Sequence, residues 1–445
     1  MRNVTEISDD DSGGGYAWYV VAVLMFAYMV SFIDRQILSL LVQPIKRDLG
    51  VTDTEIGLLA GFAFAIFYSV LGVPIARLAD RTNRKILISV GVVLWSLMTA
   101  ACGLTKTFWH LFLARVGVGV GEATLSPAAY SMMADYFPPN KLARAIGVYA
   151  MGLYIGAGIA LLAGSAVVAL VAGAEPMVLP VIGTIYPWQL TFFIVAMPGL
   201  LVLALLATVK EPARREVIPD SKSPINKSVS VTEILRYLRG NRRLVVAHSM
   251  GFLTLGTVIS AYLIWIPEFL RRTYALTVPE AGAIFGMCLL IFGGAGPFFG
   301  GWLSEHLEEK GYRDAEMRAS MLLGLAMTPF AVIAPLAPEK ISAVILLAVA
   351  IFFLSAPQGL APTIIQLVTP NRMRAQITAL FMLVAVLVGF SAGPYLVAFF
   401  TDTVFDDESS IRYSLSIVSG ILSPIGVICL FAGLKPFADR NPLQN

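Results

Sequence analysis

Four ionisable residues stand in stretches that are otherwise apolar: Asp34 and Arg35 in one, Arg115 and Glu122 in another. An ionisable side chain at bilayer depth costs about 2.5–3.5 kcal/mol on insertion scales, so such residues face a protein interior or a water-filled cavity. Arg115 and Glu122 lie two helical turns apart and share one helix face. Two acids and two bases at similar depth can neutralise one another, and two readings follow. The four are permanent salt bridges locking one span to another, or they do chemistry. In the second reading Glu122 or Asp34 exchanges a proton, Arg35 binds an anionic group, and Arg115 holds Glu122. Burial disfavours a charged carboxylate while a nearby guanidinium favours it. Competition for the arginine can therefore couple a proton to an anionic substrate. Buried pairs are weak stability devices, which favours the chemical reading.

The elements that must position these residues are membrane-spanning helices. The chain of 445 residues is 57% hydrophobic and only 14% charged, against roughly 25% charged residues in soluble domains. Its apolar blocks match the roughly 17–25 residues needed to cross a bilayer. With no water to satisfy the backbone in lipid, each block must be a helix. Twelve spans are expected: 16–42, 55–76, 86–104, 109–136, 143–172 and 187–209, then 244–268, 280–304, 318–337, 341–362, 376–400 and 413–434. If the first runs outward and the fourth inward, Asp34 lies ~15 Å, Arg115 ~9 Å and Glu122 ~20 Å from the outer ends of their helices.

Lys and Arg set the orientation. Arg77, Arg81, Arg84, Lys85, Lys141, Arg144, Lys310, Arg313, Arg318, Arg372, Arg374, Lys435 and Arg440 share a side with Arg2 and with the basic residues from Lys210 to Arg243. The opposite side holds far fewer. Both termini are therefore expected in the cytoplasm of a multi-pass plasma (bacterial inner) membrane protein. The expected organisation is a tail (1–15), a six-helix bundle (16–209), a cytoplasmic linker (210–242), a second bundle (243–434) and a tail (435–445). The basic linker could touch anionic headgroups, but a solvated linker that simply obeys the positive-inside rule is the favoured reading. The acidic N-terminus (Glu6, Asp9, Asp10, Asp11) lacks the basic region of a cleaved signal peptide, so the first span is expected to be retained.

Other features point away from enzymes and nucleic acid. The net charge is +3, and Cys102, Cys288 and Cys429 have neither zinc nor disulfide spacing. No H-E-x-x-H, G-x-S-x-G or P-loop signature occurs. Gly117, Gly119 and Gly121 lie mid-span with no strand before them, so they read as close helix packing. His248 and His306 sit at span ends and read as interfacial. No cofactor or metal is expected, a proton gradient supplying the energy, and the chain is expected to work as a monomer among membrane lipids.

The halves repeat. Sliding the chain on itself places Lys46-Arg47 on Arg271-Arg272, Glu55 on Glu280, Gly57 on Gly282, Gly61 on Gly286 and Asp80 on Glu305. Parallel six-helix repeats of this kind define one large transporter class. Asp34 and Arg35 fall on Ile259 and Ser260, so the ionic chemistry belongs to the first half.

The segment Gly72-Val-Pro-Ile-Ala-Arg77-Leu-Ala-Asp80-Arg81-Thr-Asn-Arg84-Lys85 resembles the cytoplasmic loop signature of the major facilitator superfamily. Arg115 with Gly117, Gly119 and Gly121 resembles its fourth-span signature. The resemblance implies an all-α fold of twelve transmembrane helices in two parallel-repeat halves. Arg77, Asp80, Arg81 and Arg84 would form a conformational latch between helix ends. Within that superfamily, Phe32-Ile33-Asp34-Arg35, Gly119-Val-Gly121-Glu122-Ala123, Trp188-Gln-Leu-Thr191-Phe-Phe and Gly393-Pro394-Tyr395-Leu396 are similar to the spinster group. That group moves lysophospholipids or sphingosine-phosphate-like lipids. The resemblance implies proton coupling through Asp34 and Glu122, with Arg35 and Arg115 on the substrate side. Proton symporters of small organic anions, such as sugar acids and carboxylates, carry a similar Asp-Arg and Gly-x-Gly-Glu and remain the alternative. A non-transporting receptor would bind without flux.

Overall fold

The computed structural model describes residues 14–171, 173–180, 183–214, 231–370 and 373–440. Arg2 and Arg372, counted above for orientation, lie outside them, as does most of the linker. The chain divides into two compact units, Met1–Val217 with Thr277–Met287, and Ile218–Leu276 with Cys288–Asn445.

In the first unit, α1 is Gly15–Leu40, α2 Val42–Leu49, α3 Asp53–Ala60, α4 Phe62–Arg81 and α5 Arg84–Cys102. Then come α6 (Phe108–Glu122), α7 (Leu125–Tyr136), α8 (Pro139–Val171), α9 (Pro187–Ala196) and α10 (Pro198–Thr208). A two-stranded antiparallel hairpin, β1 (Met177–Leu179) and β2 (Gly183–Ile185), joins α8 to α9. α1 lies along α8, and α6 packs on α4 and α5. Trp95, Phe137 and Tyr149 are among the largest side chains in the core.

The second unit begins with α11 (Val231–Gly240) and α12 (Arg242–Tyr274). α13 (Val278–Cys288), which up to Met287 belongs to the first unit, runs through a π-helical turn, Leu289–Gly293, into α14 (Gly294–Glu309) of the second. α15 (Ala315–Ile333), α16 (Lys340–Ser355), α17 (Leu360–Val368), α18 (Arg374–Val384), α19 (Ser391–Phe399) and α20 (Ile411–Ala438) follow. α12 is the buried centre, packed on α19 and α20.

Among the described residues, ten helical stretches are long and apolar enough to cross a membrane. The expected second and fourth spans are each made of two helices. α3 ends at Gly61 before α4, and α6 ends at Glu122 before α7. Twelve spans are consistent with these pieces.

Local geometry repeats where the sequence does. Thr52 caps α3 and Glu55 returns a bond to the Thr52 N–H at 2.9 Å. Thr277 and Glu280 make the same reciprocal cap, with the Thr277 N–H on Glu280 at 2.9 Å. A capping box satisfies two donors that the first helical turn leaves free. Two residues before each threonine the backbone is left-handed, at Gly50 (φ 66°) and at Ala275 (φ 53°). For alanine that conformation carries a steric cost which glycine avoids.

Candidate functional site

The intramembrane charges are gathered by α1 and α6. Arg35 on α1 donates from Nε to Glu122 Oε2 at 2.7 Å, and its Nη2 reaches the same oxygen. The Glu122 side chain is 1% exposed and the Arg35 side chain 23%, so the pair is closed on the acid side and open on the guanidinium side. Glu122 Oε1 is buried and has no hydrogen-bond partner among the described residues. The Arg35 guanidinium is also boxed by rings: its Cζ lies 4.2 Å from the centroid of Phe64, 4.7 Å from Phe32 and 5.5 Å from Tyr68. Aromatic faces attract a cation while removing its water.

The expected partner of Glu122 is thereby corrected. Arg115 forms no ion pair with it. Arg115, buried at 1% exposure, donates from Nη1 to the backbone carbonyl of Asp34 at 2.8 Å. It ties the two helices through main chain and not through the acid. The reason is local: Glu122 is the last residue of α6, where the chain turns, and Arg115 sits two turns earlier in the straight helix. Asp34 is 2% exposed and, among the described residues, its carboxyl makes no ion pair and its Oδ1 has no hydrogen-bond partner. A buried polar group in that condition is costly as a structural device and commonly marks function.

The glycines of α6 make this approach possible. A Cβ on Gly119 would stand 2.6 Å from the Phe64 carbonyl oxygen, and one on Gly121 2.8 Å from the carbonyl of Gly91. Backbone-to-backbone contact with α4 brings Phe64 over Arg35. Next to this box, Tyr28 stacks on Tyr149 at 4.8 Å and Tyr149 bonds Ser126 Oγ at 3.0 Å.

The latch residues fare differently. Arg77 and Asp80 lie in the last turns of α4, and their side chains fall outside the described residues; Arg81 is exposed. Arg84 is buried and is the centre of a network that the sequence reading missed. It donates to Asp135, to Glu211 Oε1 at 2.7 Å, to the Ser131 carbonyl and hydroxyl at 3.0 Å, and to the Pro212 carbonyl at 3.2 Å. Glu211 also accepts from the Lys85 N–H at 2.9 Å. The start of the linker is thus fastened to α5 and α7. The available signal was that Asp135 and Glu211 each follow a long apolar run ending on the side of Arg84.

The remaining sequence motifs are structural anchors. Trp188 donates to Asp48 at 2.9 Å and Gln189 to the Thr105 carbonyl at 2.7 Å. In the second unit, Trp265 donates to the Pro394 carbonyl at 2.9 Å, and Gly393 lets Ser260 and Thr257 approach. His248, read as interfacial, is instead 4% exposed, between Phe252 and Phe381, with Nε2 2.9 Å from the Ala361 carbonyl. Its position at the polar end of a span hid the fact that α12 is central. His306 stacks on Trp302 and is partly exposed.

Two repeated bundles of spanning helices, with a charge pair buried between α1 and α6, define a secondary transporter fold, and comparison with known proteins supplies the family. The chain belongs to the major facilitator superfamily, whose sequence profile matches residues 24–394. It is an integral multi-pass membrane protein and a transporter, not an enzyme. It is 27% identical to an MFS-type efflux pump of Mycolicibacterium smegmatis, over 94% of this chain and 93% of that protein. It is 29% identical to protein spinster homolog 1 of Bos taurus, over 100% and 85%. A probable L-galactonate transporter of Escherichia coli is 23% identical over 95% and 89%. A crystal structure of a bacterial homologue of the human lysosomal transporter Spinster, inward-facing and unoccupied, aligns with a TM-score of 0.76 at 26% identity, covering 96% of this chain and 97% of that one.

Proposed function

We propose that this transporter carries amphiphilic anionic lipids, of the lysophospholipid or sphingosine-phosphate-like class, in exchange or symport with protons by alternating access. The observation that carries the reading is the Arg35–Glu122 pair: an acid sealed from solvent, and a guanidinium partly open and boxed by rings. An anionic headgroup entering at Arg35 competes with Glu122, and protonating Glu122 removes the competitor. Asp34, unpaired beside it, is a second proton acceptor. Arg115 holds the backbone that carries both Asp34 and Arg35. The aromatic surroundings suit an amphiphile, and the spinster relatives support the lipid class. Arg77, Asp80, Arg81 and Arg84 act as the latch, with Asp135 and Glu211 as the acids on which Arg84 closes.

The protein sits as a monomer in a bacterial inner membrane, with both termini cytoplasmic. The orientation of the termini rests on the distribution of Lys and Arg. The similarity to a probable L-galactonate transporter favours a second reading, proton symport of small organic anions. Flux into proteoliposomes under an imposed pH gradient separates the two. Gradient-dependent movement of labelled lysophosphatidylglycerol, without movement of a labelled hexonate, is expected. Movement of the hexonate alone overturns the lipid assignment.

A further inference from the structure

The helix α11 takes no part in the charge cluster of α1 and α6, yet it is held in a defined place. Tyr237 donates its hydroxyl to the carbonyl of Val368, the last residue of α17, at 2.8 Å. Asn241, the single residue between α11 and α12, donates to the Tyr237 carbonyl at 2.8 Å and accepts from Arg440, just beyond α20. α11 is therefore pinned across the ends of spanning helices, at the level where they leave the bilayer.

Its two sides differ. Ile234, Tyr237 and Leu238 are half-buried, whereas Thr232, Leu235, Arg236 and Arg239 are exposed. At 100° per residue these four exposed positions fall within about 100° of one another, on one side of the helix. Leu235 is 47% exposed beside Arg239. The first turn of α12 continues the surface with exposed Arg242 and Arg243. One turn and two turns further along the same side, Val246 and Met250 are 58% and 44% exposed in a helix whose other apolar residues are mostly buried. Apolar exposure on a spanning helix marks the side that meets acyl chains. The arginines above it stand at headgroup depth. From 231 to 243 the only acid is Glu233.

The geometry points to α11 and the first turn of α12 as a docking surface for anionic phospholipid headgroups, with Leu235 at the headgroup–acyl boundary and Arg236, Arg239, Arg242 and Arg243 on the phosphates. Basic juxtamembrane segments gain from a negative bilayer surface, and an amphipathic helix lies in that plane. A free phosphate shares the chemistry, but it offers nothing to the apolar continuation through Leu235, Val246 and Met250. The surface is separate from the transport site, so it stands or falls independently of the substrate.

The test is hydrogen exchange of the α11 amides in the full-length protein. One sample is in nanodiscs of phosphatidylcholine, another in nanodiscs of equal parts phosphatidylcholine and phosphatidylglycerol. Exchange roughly tenfold slower in the anionic discs is expected, and it should weaken as salt screens the surface. The double variant Arg236→Gln/Arg239→Gln should lose the difference while its thermal unfolding and its exchange elsewhere stay as in the parent. Equal exchange in the two bilayers overturns the proposal. So does a double variant that keeps the difference, or inorganic phosphate giving the same protection in phosphatidylcholine discs.

Discussion

Replacing Glu122 by Gln separates the binding of an anion from its coupling to protons. The side chain keeps its volume and still accepts from Arg35, but the charge that competes with an anionic ligand is gone. In the parent, Arg35 Nε and Glu122 Oε2 are 2.7 Å apart with the acid 1% exposed, so a ligand must break a well-made charge-assisted bond. Hydrogen bonds to charged groups contribute about 1.5–3 kcal/mol net. At about 1.4 kcal/mol per tenfold, removing that competitor tightens anion binding roughly 10- to 150-fold. The sign of the pH dependence follows. In the parent a proton on Glu122 frees Arg35, so affinity for the anion rises as pH falls. In Glu122→Gln the affinity is high throughout and nearly flat. Calorimetric titration of lysophosphatidylglycerol, diluted below its micelle concentration, across neutral pH measures both quantities. Weaker binding in the variant, or a pH dependence as steep as the parent's, would refute the competition between Glu122 and substrate.

Other substitutions test the supports. Phe64→Leu removes a ring 4.2 Å from the Arg35 guanidinium. Losing one cation–π contact of about 0.5–2 kcal/mol should weaken anion binding roughly 2- to 30-fold, while Tyr68→Phe, which keeps its ring, should leave binding unchanged in the same titration. Gly119→Ala sets a Cβ 2.6 Å from a backbone oxygen of α4. The helices must part, and overpacking of about 1–3 kcal/mol should appear as a lower unfolding temperature together with reduced flux. Arg84→Ala leaves the Asp135 and Glu211 carboxylates without their shared cation. Removing one partner of a buried pair costs about 3–5 kcal/mol, and adding Asp135→Asn and Glu211→Gln should restore much of the unfolding temperature.

The spans and the first-half charges were legible in the sequence because a charge inside an apolar run is rare and needs a reason. The repeat was legible at Glu55 and Glu280, and the structure shows why: both close the same cap behind a left-handed residue at the same position, Gly50 and Ala275. The glycines of α6 were legible as packing, and they pack backbone on backbone. Partner choice was not legible. Spacing put Arg115 and Glu122 on one helix face, but Glu122 is where α6 ends, and it turns to α1 for its cation. Spacing along one chain carries no information about the rotation of a neighbouring helix. The Arg84 network was missed for a related reason. Basic residues were weighed for orientation, while Asp135 and Glu211, their acids, lie far away in sequence. The hairpin β1–β2 was missed because a short, mostly apolar connection interrupted by Gly and Pro has little periodicity to read between long spans.

The most direct test of proton coupling through Glu122 is the pH change that substrate itself drives. Purified protein is reconstituted in vesicles with a pH-sensitive dye in the lumen, and lysophosphatidylglycerol is added with no imposed gradient. The parent should shift the luminal pH as the lipid moves, and Glu122→Gln should bind the lipid without shifting it. An equal shift in Glu122→Gln, or lipid movement in the parent with no shift at all, would contradict a coupling proton carried by this residue.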